Sequence, residues 1–301
     1  MHQQVVGDPV SFVDPPIRTP SDHLGIDALL PSEIAKKAEN IGARKVRLDV
    51  TRLLALAILA GAFIALGAMF ATTVLAGAGT VPFGLSRLAA GVVFSLGLIL
   101  VVVGGAELFT GNTLMVMALA ARKITLAEML RAWTIVYVGN LVGALGTAGL
   151  VVLSGQYLSG NGQVAEIALS LAVAKVTLSF QHALFLGVLC NVLVCLAVWL
   201  SLGARSTADK VLAVLFPVSA FVAAGFEHSV ANMYLVPLGI LIKTSAPATL
   251  WSQIPIDGLD LLTWSNFVWR LVPVTIGNVI GGGALVGAVY WFIYLRGHRT
   301  E

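Results

Sequence analysis

Residues 105–112 read GAELFTGN and residues 225–232 read GFEHSVAN. Glycine, glutamate and asparagine recur at one spacing, inside stretches that are otherwise apolar. A second pair follows: GNLVG at 139–143 and GNVIG at 277–281. Both pairs occupy corresponding hydrophobic segments, so residues 51–155 and 176–296 read as two copies of one three-segment unit. A charged side chain at membrane depth costs at least about 2.5–3.5 kcal/mol on the mildest insertion scale. A glutamate placed there twice, at matching positions, therefore marks a site.

The surroundings of these motifs fix the class. Of 301 residues, 58% are hydrophobic and 11% charged, and the mean hydropathy is +0.93. Soluble domains carry about 25% charged residues, so a water-facing surface is excluded for most of this chain. Residues 53–86, 132–165, 176–204 and 271–295 contain no Asp, Glu, Lys or Arg, and about 20 apolar residues suffice to cross a bilayer. The pattern predicts six spans, over 52–76, 87–121, 131–154, 178–203, 210–242 and 266–295. The second and fifth are too long for one crossing and carry charge near their middles, which predicts broken helices.

The rest of the chain divides around this 51–296 core. Residues 1–30 are polar and rich in Pro and Asp and are expected to be a disordered tail. Residues 31–50 alternate basic and apolar residues and predict an amphipathic helix at the membrane surface. Residues 154–174 and 243–265 read as loops, and 297–301 as a short terminal tail. Cys190 and Cys195 lie in an apolar run and are expected to be buried small hydrophobes. Trp133, Trp199, Trp264 and Trp269 fall near span ends and are expected to anchor at the interface.

Basic residues orient the bundle. Thirteen fall on one side: Lys36, Lys37, Arg44, Lys45, Arg47, Arg52, Arg122, Lys123, Arg131, Arg205, Lys210, Arg296 and Arg299. Four fall on the other: Arg87, Lys175, Lys243 and Arg270. Both termini are therefore expected in the cytoplasm. Three spans per copy then turn the second copy upside down, and inverted repeats with interrupted helices place a transport site at the midplane between the halves. Small residues allow helices to approach closely in lipid, the role expected of Gly139, Gly143, Gly277 and Gly281.

Few ionisable groups lie within the spans. Glu107 and Glu227 stand beside the expected breaks and can accept hydrogen bonds from backbone N–H groups freed there. As pore-lining carboxylates they would repel an anion, which favours the supporting role. His228 breaks the repeat, because Leu108 occupies the equivalent place. Imidazole has an unperturbed pKa of about 6.5, so it can hydrogen-bond an anion and exchange a proton with it.

The stretches GAELFTGN, GFEHSVANMY (225–234) and GVLCNVLVCLAVW (187–199) resemble signatures of the formate/nitrite transporter family, and the similarity covers about residues 31–296. The resemblance implies an all-α membrane protein: an aquaporin-like bundle of six transmembrane helices with an inverted 3+3 repeat and broken second and fifth helices. It implies a homopentamer with a pore in each protomer, in a bacterial inner membrane. The implied substrate is a small monovalent anion, formate first, with nitrite, hydrosulfide, acetate and lactate as alternatives, and protons as a coupled partner. It further implies an outer constriction of Phe94, Leu98 and Phe221 and an inner one of Leu108, Phe109 and Val194. Lys175 would be a vestibule lysine drawing the anion in, Thr110 and His228 would hold it, Asn191 would line the same pathway, and Asn112 and Asn232 would support the breaks with Glu107 and Glu227.

Other classes fare worse. No metal-ligand spacing, nucleophile–base motif or cofactor loop is present, so no enzyme activity, cofactor, metal or nucleic-acid partner is expected. An aquaporin-type pore for neutral solutes would be expected to carry paired Asn-Pro-Ala segments, and this chain has none.

Overall fold

The computed structural model describes residues 28–251 and 256–297, so the tail read at 1–30 lies almost wholly outside the described residues. The chain is a multi-pass, all-helical membrane protein. Helix α1 (Pro31–Lys45) leads into α2 (Val50–Leu75) and α3 (Phe83–Gly104). The short α4 (Phe109–Asn112), a 3₁₀ turn and α5 (Val116–Ala120) complete the broken second span, and α6 (Leu126–Leu153) is the third. The second half runs α7 (Gln163–Thr177), α8 (Phe180–Gly203), α9 (Thr207–Ala223) and α10 (Ser229–Ser245), with the fifth span broken between the last two. The short α11 (Ala248–Trp251) precedes α12 (Trp264–Val279), a π-helical stretch at Ile280–Ala288 and α13 (Val289–Tyr294), which together make the sixth span.

The halves repeat contact for contact. α2 packs on α3 and α6, as α8 packs on α9 and α12, and α3 lies against α9 across the pseudo-twofold axis. Asp49 caps α2 by accepting the Arg52 N–H (3.0 Å), and Ser179 caps α8 by accepting the His182 N–H (3.2 Å), 130 positions later. The expected close approaches occur. A Cβ on Gly143 would sit against the Ile58 carbonyl oxygen, and one on Gly281 against that of Val188. Backbone-to-backbone contact of this kind gives helices in lipid the van der Waals density that a hydrophobic effect supplies in water. α3 ends on Gly105 (φ 81°) and α9 is followed by Gly225 (φ 75°). Only glycine enters that left-handed region freely, so each break starts at a glycine of the repeated motif.

Besides the one-turn α11, a full helix, α7, lies where the sequence reading has a loop. α7 is the inverted twin of α1: Ala35, Ala38, Lys45 and Val46 correspond to Ala165, Ala168, Lys175 and Val176, all 130 apart. The unit thus begins with a short helix in both halves. α7 carries little charge and starts at the left-handed Gly162 (φ 87°), so the basic pattern that betrays α1 is missing.

The tryptophans divide. Trp264 and Trp269 are exposed, but Trp133 and Trp199 are buried. Trp133 donates from Nε1 to the Asn112 carbonyl (3.0 Å) and Trp199 stacks on Tyr290 (4.1 Å). Indole N–H groups seek an acceptor when buried, and here the acceptor lies inside the protein. Cys190 and Cys195 are free and buried.

Candidate functional site

Each helix break strands backbone groups at a depth where water cannot serve them, and an unpaired one costs about 1–3 kcal/mol. The asparagines of the two GN pairs meet that need. Asn140 Oδ1 accepts the Phe109 N–H (2.9 Å), while its Nδ2 donates to the carbonyls of Ala57 (2.7 Å) and Glu107 (2.9 Å). Asn278 repeats this with the Ser229 N–H (2.9 Å) and the carbonyls of Gly187 (2.8 Å) and Glu227 (2.9 Å). The expected role of Glu107 and Glu227 as acceptors for freed N–H groups is therefore corrected. A break exposes donors and acceptors together, and an amide answers both where a carboxylate answers only one.

The glutamates hold side chains instead. Glu107 pairs with Lys45 (2.9 Å) and accepts from Asn112 Nδ2 (2.9 Å), while Lys45 also donates to Asn112 Oδ1 (2.6 Å). Glu227 pairs with Lys175 (2.5 Å) and accepts from Asn232 Nδ2 (2.7 Å). Each short helix thus delivers one lysine to the glutamate of its own half. Lys45 went unnoticed in the sequence because it sits in a run of six basic residues. Its spacing of 130 from Lys175 is the signal that finds it.

Two cavities open from these triads. The α1-side cavity, about 310 Å³, is lined by Lys45, Glu107, Leu98 and Leu108 among others. The α7-side cavity, about 70 Å³, is lined by Lys175, Arg87, Phe94, Phe221 and His228 among others. They share no lining residue. Many pairs correspond across the repeat, such as Ile41 with Leu171, Gly105 with Gly225 and Asn112 with Asn232.

Buried apolar side chains and one polar pair stand between them. Phe94 and Phe221 meet edge to face (5.7 Å), and Phe221 stacks on the His228 ring (5.9 Å, 21°). Leu98, grouped with that pair by the resemblance, lines the α1-side cavity together with Leu108. Phe109 and Val194 are buried but line neither cavity. The Phe109 ring turns toward Tyr137 (4.8 Å) and Trp133 (6.0 Å).

His228 is the N-cap of α10. Its Nδ1 accepts the Ala231 backbone N–H (3.1 Å), and its Nε2 lies 2.9 Å from Thr110 Oγ1. An accepting Nδ1 carries no proton, so the neutral ring bears its hydrogen on Nε2 and donates to the threonine hydroxyl. Thr110 is fixed from behind. Its carbonyl accepts from Thr113 Oγ1 (2.7 Å), Asn191 Nδ2 (3.2 Å) and Cys195 Sγ (3.4 Å), and Asn191 Nδ2 also donates to the Asn278 carbonyl (2.6 Å). Room for this cluster exists because residue 282 is glycine, where a Cβ would overlap Thr113 Oγ1, Asn191 Nδ2 and Cys195 Sγ. Thr113 and Gly282 carry no repeat signal, so the sequence reading passed over them, and it read Cys195 only as a buried small hydrophobe.

Comparison with known proteins agrees with this architecture. Residues 32–292 match the family model described as formate/nitrite transporter. The chain is 47% identical over 273 residues to the formate channel FocA of Escherichia coli K12, covering 90% of this chain and 96% of that one. It is 40% identical over 263 residues to the FocA of Haemophilus influenzae, covering 86% and 93%. Among solved structures, a pentameric formate channel with formate bound superposes with a TM-score of 0.77 at 43% identity, covering 82% of this chain and 98% of that one. The relatives are named as channels and the matching family as transporters, so the chain is a transport protein rather than an enzyme. Two inverted halves, two helices broken at matching glycines and a match along nearly the whole core place this chain in the formate/nitrite transporter family.

Proposed function

We propose that this chain conducts formate across the bacterial inner membrane, passing it between the two cavities by way of Thr110 and His228, with a proton accompanying the anion through the apolar constriction. The observation that carries this reading is a break in the repeat at its polar centre. Where the first half presents Leu108, the second presents His228, bonded to Thr110 at 2.9 Å in the septum between the cavities. Phe94, Phe221, Leu98 and Leu108 are the constricting side chains in this reading, with Phe109 and Val194 backing them. Lys175 and Lys45 stand at the vestibules, each paired with the glutamate of its own half. Asn191 orients Thr110, and Glu107, Glu227, Asn112 and Asn232 support the breaks. The relatives named above lend the substrate and the pentameric assembly. The bias of basic residues puts α1 and both termini in the cytoplasm.

A magnitude favours the neutral acid as the species that crosses. Stripping an isolated carboxylate of water in a dry apolar ring costs up to tens of kcal/mol by Born estimates. Protonating an acid of pKa about 3.5 at pH 7 costs about 5 kcal/mol. The anion takes its proton from water in the entry cavity and returns it to water in the exit cavity. His228 then serves as a neutral hydrogen-bonding partner. To store the proton it would have to accept it on Nδ1, giving up the α10 cap at about 0.5–2 kcal/mol in addition to the cost of a buried charge.

Flux of formate, nitrite and glycerol into proteoliposomes across pH 5 to 8 tests the proposal. Formate flux is expected to rise toward acid pH, nitrite to follow more weakly and glycerol to be excluded. His228→Phe is expected to lower the rate, with the rise toward acid pH retained because the substrate takes its proton from water. Unchanged flux in His228→Phe would remove the ring from the pathway, and permeation by glycerol would point to a neutral-solute pore.

A further inference from the structure

We propose that Arg87, rather than Lys175, is the residue that binds the anion in the α7-side cavity, taking a flat two-oxygen anion such as a small carboxylate. The inference rests on the anion-transport reading above and assigns the entry site on one face.

Charge pairing leads to it. In the α1-side cavity Lys45 is matched by Glu107 at 2.9 Å. In the α7-side cavity Lys175 is matched by Glu227 at 2.5 Å. The lysines thus return little net charge to the solute. Arg87 also lines the α7-side cavity, and among the described residues it makes no ion pair with a carboxylate. It has no twin either. The position 120 further on, which corresponds in the α3–α9 pairing, is Thr207. The excess positive charge of this cavity is therefore Arg87's alone.

The guanidinium is also held still. Nη2 donates to the Val222 carbonyl (2.9 Å) and Nε to the Ala223 carbonyl (3.4 Å), at the C-terminal end of α9. Gly225 keeps the approach clear, since a Cβ there would come within 3.3 Å of Nη2. Two of five N–H donors are committed, and three remain. A planar fork fits a carboxylate or nitrite side by side, which an ammonium cannot do, and it stays charged at every physiological pH. The cavity's 70 Å³ exceeds the roughly 10–15 Å³ that one water needs, leaving space for an ion of three or four atoms. The ion would rest beside the Phe94–Phe221 edge, one step from His228.

The test is formate uptake from the α7 face, in liposomes of the full chain whose insertion sidedness has been determined, as a function of formate concentration. Arg87→Gln can still donate to the Val222 carbonyl but is neutral. Arg87→Lys keeps the charge and loses the fork. The half-saturating concentration is expected to rise about tenfold in Arg87→Gln and about threefold in Arg87→Lys, with the wild-type dependence weakening at high salt. A half-saturation unchanged in Arg87→Gln, even with a lowered melting temperature, would make Arg87 a mere strap on α9 and overturn the proposal. Should Arg87→Gln fail to fold, Arg87→Lys decides by the same shift or its absence. Wild-type vesicles impermeable to formate and nitrite would instead sink the transport reading and this proposal with it, whereas active wild type with unshifted variants sinks this proposal alone.

Discussion

The two lysine–glutamate pairs are built alike but buried unequally, which yields a quantitative prediction. Glu227 and Lys175 have side-chain exposures of 2% and 16%, against 8% and 25% for Glu107 and Lys45. Lys175→Met leaves the Glu227 carboxylate with one amide donor, Asn232, in a site that water scarcely reaches. Breaking a buried pair from one side costs about 3–5 kcal/mol. At about 2 °C per kcal/mol for a chain of this size, the melting temperature should fall by about 6–10 °C. Lys45→Met is expected to cost about half as much, because Glu107 is better hydrated. The double change Lys175→Met/Glu227→Gln removes the orphaned charge and should recover about 2 kcal/mol of the single-mutant loss. Thermal melts followed by tryptophan fluorescence in one detergent compare wild type with all three variants. A Lys175→Met protein melting within about 2 °C of wild type would refute the reasoning. So would a double variant no more stable than Lys175→Met alone, since neutralising Glu227 would then relieve nothing.

Three further outcomes follow from the same hydrogen bonds. Asn140→Leu and Asn278→Leu each strand one donor and one acceptor at a break, Phe109 N–H and the Glu107 carbonyl in one and Ser229 N–H and the Glu227 carbonyl in the other, and should lose about 2–6 kcal/mol. Either variant purifying with wild-type stability would show that the breaks are held by something else. Gly282→Ala pushes on Thr113, Asn191 and Cys195, so formate flux should fall at least about tenfold while the melting temperature moves by only a few degrees. Equal losses in both would make the glycine a packing residue only. Trp133→Phe removes the donor to the Asn112 carbonyl and should cost about 1 kcal/mol in stability, read as a shift of about 2 °C in the same melt.

Much of the fold was legible because the repeated motif carries its own alignment. Gly105, Glu107 and Asn112 against Gly225, Glu227 and Asn232 locate both breaks, and the glycines of the GN pairs locate the tightest crossings. What escaped had physical reasons. Helix α7 lies in a segment without the basic residues that make α1 conspicuous, and its likeness to α1 emerges only when the two are set 130 positions apart. The work of Asn140 and Asn278 was hidden because the partners that need them, the N–H groups of Phe109 and Ser229, lie about 31 and 49 residues away. Burial of Trp133 is equally non-local, since its acceptor is a carbonyl liberated by the broken second span. Phe109, one of the expected constriction residues, shows what the motif leaves open. Its position in the chain is fixed by the motif, but its rotamer is decided by Tyr137 and Trp133.

The pseudo-twofold relation between the vestibules bears on directionality. A traveller entering from either bank meets a neutralised lysine and then an apolar wall, aliphatic on one side and aromatic on the other, before the middle. Nothing in so even-handed a corridor can act as a ratchet, so net movement must follow the difference in acid concentration across the membrane and reverse when that difference does. Any bias between faces has to reside where the mirror fails, residues 87, 108 and 228 among those places. Those three positions are where a designer wishing to favour uptake over release should begin.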